Sequence, residues 1–167
     1  MTTDAAGSML LDLVNSRIVE PDGVHDDLET DAAASAWLVA HGEGGTVGEI
    51  ADARAVRPVL VGFLRGERGL AELEPWTAAV SRHPVFGADG VTWLDDIEPA
   101  RRIGARAMLE WASLQGAEGS RIRPCAASDC QHFLIDTSRA NSRKWHSMET
   151  CGNRAKARRH YARTRQG

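Results

Sequence analysis

The chain has few aromatics, only three cysteines and no long apolar run. Aromatic residues are 5% of its 167 residues. No stretch reaches the roughly 18 consecutive apolar residues of a membrane span, so no span is expected. The opening MTTDAAGSML lacks a basic start followed by an apolar stretch, so no secretion signal is expected and the protein reads as cytoplasmic. Three cysteines cannot all pair within one chain, which favours reduced thiols over a disulfide framework. No repeat or low-complexity tract is evident. A nucleophile elbow, a phosphate loop and an HExxH helix are also missing. The N-terminal His25, His41 and His83 stand isolated, and Glu149 is the one acid beside the later histidine and cysteine pair. An enzyme is not expected.

What is present is a soluble globular composition, 43% hydrophobic and 26% charged. The length suits one ordinary domain plus a small module. The net charge of −3 hides an asymmetry. Residues 121–167 hold 11 Lys+Arg against 3 Asp+Glu, and the rest hold 9 against 20. An acidic body carrying a basic module fits a protein of which one part meets phosphate and the other does not.

Apolar spacing predicts a helix over Met9–Ile18, broken at Pro21-Asp22-Gly23. Thr30 caps a second helix running to about His41, with Trp37 and Leu38 inward. Thr46-Val47-Gly48-Glu49 matches a capping box for a third, to about Arg65, which Pro58 should kink or split near Arg57. Leu70 to Arg82 reads as a fourth helix with Pro75 in its first turn. Pro84–Phe86 and Val91–Leu94 around Gly87-Ala88-Asp89-Gly90 read as a β-hairpin. A last long helix, capped by Asp95 or Asp96, spans Ile97 to about Leu114. The fold class is α+β: a mainly helical domain over 1–117 with one β-hairpin, then a small treble-clef-like module over 118–167.

That module carries the most specific signal. Four residues separate Cys125 from Cys130, and four separate His146 from Cys151. Two chelating pairs so spaced suit a tetrahedral zinc ion, and four protein ligands make it a structural one. His132 competes with His146 for the histidine position. The local order reads as knuckle, strand (His132–Asp136), polar turn, second strand (Arg143–His146) and helix from Arg154. Trp145 and Met148 shield the ion, and the helix start stabilises the Cys151 thiolate. So small a module has too little core to fold without such a staple.

The terminal helix has no wide apolar stripe. Arg154, Arg158, Tyr161 and Arg165 share one face, and Lys156, Arg159 and Arg163 another. Like charges one turn apart repel, so the helix calls for an anionic partner. Duplex DNA fits, with Arg139, Arg143 and Lys144 extending the surface. Phe133, Trp145 and Tyr161 are the only aromatics in this region, few for stacking single-stranded bases.

Cys151-Gly152-Asn153-Arg154, preceded by Cys-x4-Cys and by the Ser-Arg-x-x-Ser-Arg-x-Trp stretch at 138–145, resembles the CGNR zinc-finger family. Leu-Asp-Leu-Val-Asn at 11–15 and the helix order resemble the ABATE domain usually fused to that finger. The resemblance covers nearly the whole chain and implies a stress-induced transcription regulator. Where the family usually has a third cysteine ligand, this sequence has His146.

The leading expectation is therefore a DNA-binding regulator with one structural Zn2+ per chain. Its N-terminal domain would sense a small molecule, dimerise, or both. Asn15, Trp37, Arg54, Arg57 and Trp93 are candidate effector-lining groups. A homodimer would double a small DNA footprint. The alternative is an RNA-binding or protein-interaction adaptor with the same structural zinc.

Overall fold

A computed structural model describes residues 8–20, 23–117 and 119–164. Six α-helices and four two-stranded antiparallel hairpins make an α+β fold among them. Helix α1 (Met9–Asn15) starts at Ser8, whose hydroxyl accepts from the Leu11 N–H at 3.0 Å. It buries Met9, Leu10, Leu13 and Val14. It ends earlier than the apolar spacing predicts. The Ser16 hydroxyl folds back onto the Leu13 carbonyl at 2.8 Å. Ile18 falls instead in β1 (Arg17–Glu20), which pairs with β2 (Gly23–Asp26).

Helix α2 (Asp31–Ala40) begins at Thr30 as expected, and α3 (Val47–Leu64) begins with the expected capping box. Thr46 N–H donates to Glu49 at 2.8 Å, and Glu49 N–H returns the bond to the Thr46 hydroxyl at 3.3 Å. Pro58 does not split α3, which continues as one element to Leu64. Pro58 is exposed, so water can serve the carbonyl its ring leaves without a partner.

The predicted fourth helix is shorter than expected. A 3-10 turn (Leu70–Leu73) leads into α4 (Glu74–Thr77), with Pro75 in its first turn. The chain then enters β3 (Val80–Gly87), paired with β4 (Gly90–Ile97) across Ala88-Asp89. The hairpin extends well beyond the expected apolar runs because its polar base also pairs. Asp95, expected as a helix cap, receives Arg82 in two bonds of 2.6 and 3.0 Å. Helix α5 (Arg102–Ser113) consequently starts after a 3-10 turn at Pro99–Arg101, not at Ile97.

Leu10, Leu13, Leu38, Leu60 and Ile103, all fully buried, lie at the centre of one core built by α1, α2, α3 and α5. The buried Asp52 accepts from the Trp76 indole N–H at 2.7 Å and the Gly104 N–H at 3.0 Å. Gly104 must be glycine, because a Cβ there would overlap the Trp76 ring. After the two-residue strands β5 (Gln115–Gly116) and β6 (Gly119–Ser120), β7 (Ile122–Pro124) pairs with β8 (Phe133–Ile135). Ile122 and Phe133 insert into the same core. The second strand expected at Arg143–His146 does not form. Its backbone is engaged elsewhere, with Arg143 N–H on Asp136 at 2.6 Å and the Lys144 carbonyl accepting from Ala126 at 2.8 Å. The described residues end in α6 (Asn153–Thr164). No helix among the described residues is long and apolar enough to cross a membrane.

Candidate metal centre and its surround

The β7–β8 hairpin carries the knuckle at its closed end. Cys125 N–H donates to the His132 carbonyl at 2.8 Å, and Cys130 N–H to Ala127 at 3.0 Å. A single wide turn, Met148–Gly152, delivers Cys151 to the start of α6. Ser147 caps it, accepting from Thr150 N–H at 3.2 Å. A side chain at Gly152 would come within 2.6 Å of the Met148 sulfur, so glycine lets Met148 lie against the turn.

One ligand atom from each of Cys125, Cys130, His146 and Cys151 falls within 4.8 Å of the others. His146 Nδ1 lies 3.3 Å from Cys130 Sγ and 3.6 Å from Cys151 Sγ. With Zn–S near 2.3 Å and Zn–N near 2.0–2.1 Å, the S···N edge of a tetrahedron is about 3.6 Å. The donor set fits zinc in identity, number and spacing. Cys125 and Cys151 are buried, and Trp145 packs against them. His132 lies outside the quartet. Its ring stacks on His146 at 4.3 Å, and its Nδ1 is 3.7 Å from Cys130.

The electrostatics favour a cation at this point. Burial, reinforced by the neighbouring thiols, pushes Cys130 up to about 12. Burial also opposes ionisation of Cys125, but hydrogen bonds from the N–H groups of Ala127 and His146 and from the Cys130 and Cys151 thiols together hold that thiol below its ordinary value. Burial, then the charges of His132, Arg143 and Arg154, lower His146, so the imidazole is neutral and free to ligate. Three converging sulfurs cannot all ionise together without a positive ion between them.

The basic residues divide into two sets. Arg143 folds over its own backbone, donating to the carbonyls of Trp145 at 3.0 Å and His146 at 2.5 Å. Arg154 donates to Cys151 Sγ at 3.3 Å and lies 3.4 Å from Asp129. Arg158 reaches the same carboxylate at 2.9 Å. Arg139, Lys144, Lys156 and Arg159 are exposed, with no ion pair among the described residues. The Arg163 side chain and the whole of Arg165 lie outside the described residues.

Several positioning residues escaped sequence reasoning. Asp136, fully buried, accepts from Ser138 N–H at 2.8 Å as well as from Arg143, fixing the loop ahead of His146. The Ser138 hydroxyl, more than any other neighbour, holds the Asp136 carboxyl below the usual range. The Asp-x-Ser turn signal was available there. Gln131 accepts from Val19 N–H at 3.1 Å through its side chain and from Arg65 at 3.2 Å through its carbonyl.

The five candidate effector residues do not form one site. Asn15 instead grips the knuckle hairpin, accepting from Phe133 N–H at 2.8 Å and donating to the Phe133 carbonyl at 3.3 Å. It also borders a cleft with His25 and His132. Arg54 and Arg57 do line a common cavity, of about 520 Å3, together with Arg17, Arg65, Arg68 and Phe133. Arg54 is bound to Asp31 at 2.7 Å, and Arg57 holds Asp26 in two bonds of 2.6 and 2.9 Å. Trp37 stacks on His41 at 3.9 Å, and Trp93 is exposed on β4. Neither lines that cavity.

Residues 7–136 match the sequence model of the ABATE family, described as "Putative stress-induced transcription regulator". The chain belongs to the ABATE family. Residues 121–164 match the CGNR zinc finger, and they contain all four clustered ligands of this ABATE protein. The two matches share residues 121–136, which include the β7–β8 hairpin and its knuckle. No curated protein matches the chain.

Proposed function

We propose that this protein is a DNA-binding transcription regulator whose CGNR finger is organised by one structural zinc ion. Cys125, Cys130, His146 through Nδ1, and Cys151 hold the ion. The supporting observation is their convergence within 4.8 Å beside the cationic helix α6. Four protein ligands leave no position for substrate, so the ion shapes the fold and performs no reaction. It neutralises the thiolates and fixes the knuckle against α6. Thiols that must stay reduced suit the cytoplasm.

Lys144, Lys156, Arg159 and Arg139 are the cations left available for phosphate, with Arg163 and Arg165 continuing the basic run. Arg154 and Arg158 reach DNA only by leaving Asp129. Arg143 acts by holding the carbonyls around His146. Two copies double the footprint. The face we assign to their contact is on the β3–β4 hairpin, where Phe86, Val91 and Trp93 are exposed at 78%, 51% and 57%. Register puts Phe86 opposite Val91 and Trp93 opposite Pro84 on one side. That neutral apolar side suits a like surface and not a nucleic acid. The helical body is the sensing part.

Purified protein should hold one zinc per chain and bind duplex DNA with strong salt dependence. Cys151→Ser should lose both properties. Equal, weak affinity for duplex and single strands would instead favour an RNA-binding or adaptor role. Tight duplex binding by a metal-free variant would show that zinc does not organise the basic surface.

A further inference from the structure

We propose that the cavity between α3, β1 and the knuckle binds a small amphipathic monocarboxylate. The proposal rests on reading the helical body as a sensor and narrows that reading to one site and one ligand class.

The volume, about 520 Å3, lies within the range of small-molecule sites. Its apolar lining is Val14, Val19, Pro58, Val61 and Phe133, of which Val19 is 45% exposed and Val14 and Phe133 are buried. Its polar side is cationic, and the charges can be counted. Arg17 and Arg57 share one carboxylate, Asp26, at 3.6 and 2.6 Å. Arg54 is matched by Asp31 at 2.7 Å and Arg68 by Glu72 at 2.6 Å. Glu67 also borders the cavity. Five guanidiniums therefore meet four carboxylates, an excess of one.

Arg65 has no carboxylate partner among the described residues. It donates only to the Gln131 carbonyl, at 3.2 Å, and its guanidinium lies 5.5 Å from the Phe133 ring centroid. A carboxylate ligand would take the remaining N–H groups of this fork, and an apolar body would lie against Val19, Pro58 and Val61. A single excess charge suits a monoanion better than a phosphate dianion. A Cβ at Gly62 would come within 2.6 Å of the Arg68 stem, so glycine lets Arg68 lie close along α3.

The position gives occupancy a route to the finger. Gln131 and Phe133 line the cavity, and Gln131 is the immediate neighbour of the metal-ligand candidate Cys130. A ligand there touches the body and the knuckle together.

The test uses the full zinc-loaded chain, titrated calorimetrically with 2-naphthoate and with its uncharged analogue 2-naphthamide. Naphthoate should bind at one site, about tenfold more tightly than the amide, as expected for one charge-assisted contact. Arg65→Gln should reduce naphthoate to about the level of the amide, and Arg65→Lys should retain part of the preference. Equal binding of acid and amide, an unchanged Arg65→Gln variant, or tighter binding of inorganic phosphate would each overturn the proposal. Duplex affinity is measured separately, without probe. Duplex binding without naphthoate binding sinks the cavity proposal alone. Naphthoate binding without duplex binding sinks the regulator reading alone.

Discussion

Around α1, α3 and α5 the protein buries Leu10, Leu13, Val56, Leu60 and Ile103 completely or nearly so. Between Cys125 and α6 its buried cluster is only Cys125, Ala127 and Cys151. The first region can hold itself together by removing apolar surface from water. The second has sulfurs where side chains of a core would be, and those sulfurs repel one another once ionised. One chain thus uses two physically different means of cohesion. They meet at the β7–β8 hairpin, whose Ile122 and Phe133 belong to the large core and whose closed end holds the cysteines. The finger is therefore not a bead on a string. It grows out of the body along two strands, and the four clustered metal-ligand candidates stand at its far end.

Loss of the proposed zinc ion should separate the two regions most sharply. Structural zinc contributes about 10–16 kcal/mol in small fingers, more than the body could supply by packing against so little apolar surface. Chelation or Cys151→Ser should raise hydrogen exchange across 142–164 to near-unfolded rates while α3 and α5 keep their protection. Loss of protection in α3 at the same step would show that the two regions form one cooperative unit. The opposite lesion is Leu60→Ala, at a position with no exposure. It should cost about 2–5 kcal/mol in urea unfolding and leave the zinc stoichiometry at one.

A smaller effect is expected where the regions join. Asn15→Ala removes both bonds to the Phe133 backbone, leaving a buried N–H and C=O without that partner. A cost of about 1–3 kcal/mol follows. The visible spectrum of the cobalt-substituted finger should not change, because Asn15 touches the hairpin and not the ligands. An altered spectrum would mean that the clasp also shapes the metal geometry.

These two kinds of order were unequally legible in the sequence. The ligand spacing exposed Cys125, Cys130, His146 and Cys151 because chelation demands residue types that chance seldom supplies together. Thr30 and Thr46 were legible as caps because capping is local. The end of α1 was not, since Ile18 continues the apolar spacing and only the Ser16 back-bond and the pairing with His25 divert it. Likewise the β3–β4 hairpin was recognised by its apolar tip, but its polar base depends on Arg82 meeting Asp95 across the strands. Asn15 could be singled out as a candidate but not placed, because its partner is 118 positions away. Arg54 and Arg57 were legible as candidate effector-lining groups. The acids that engage them, Asp31 and Asp26, come from elements whose packing no local pattern reveals.

The finest distinction lies within the basic surface, between cations already engaged and cations still free. Asp129 holds Arg158 at 2.9 Å and Arg154 at 3.4 Å, and all three are at the surface. Burial works against its charge, but its own backbone N–H, Arg158 and Arg154 hold the carboxyl below the usual aspartate range. It therefore stays negative through neutral pH and, in the proposed DNA complex, would compete with phosphate for both guanidiniums. Asp129→Asn should leave the melting temperature within experimental error, because exposed pairs contribute little to folding. It should raise duplex affinity roughly threefold and steepen the salt dependence, because two more arginines become available to the backbone. An unchanged affinity would mean that Arg154 and Arg158 serve the finger alone, with Arg154 kept to the Cys151 sulfur.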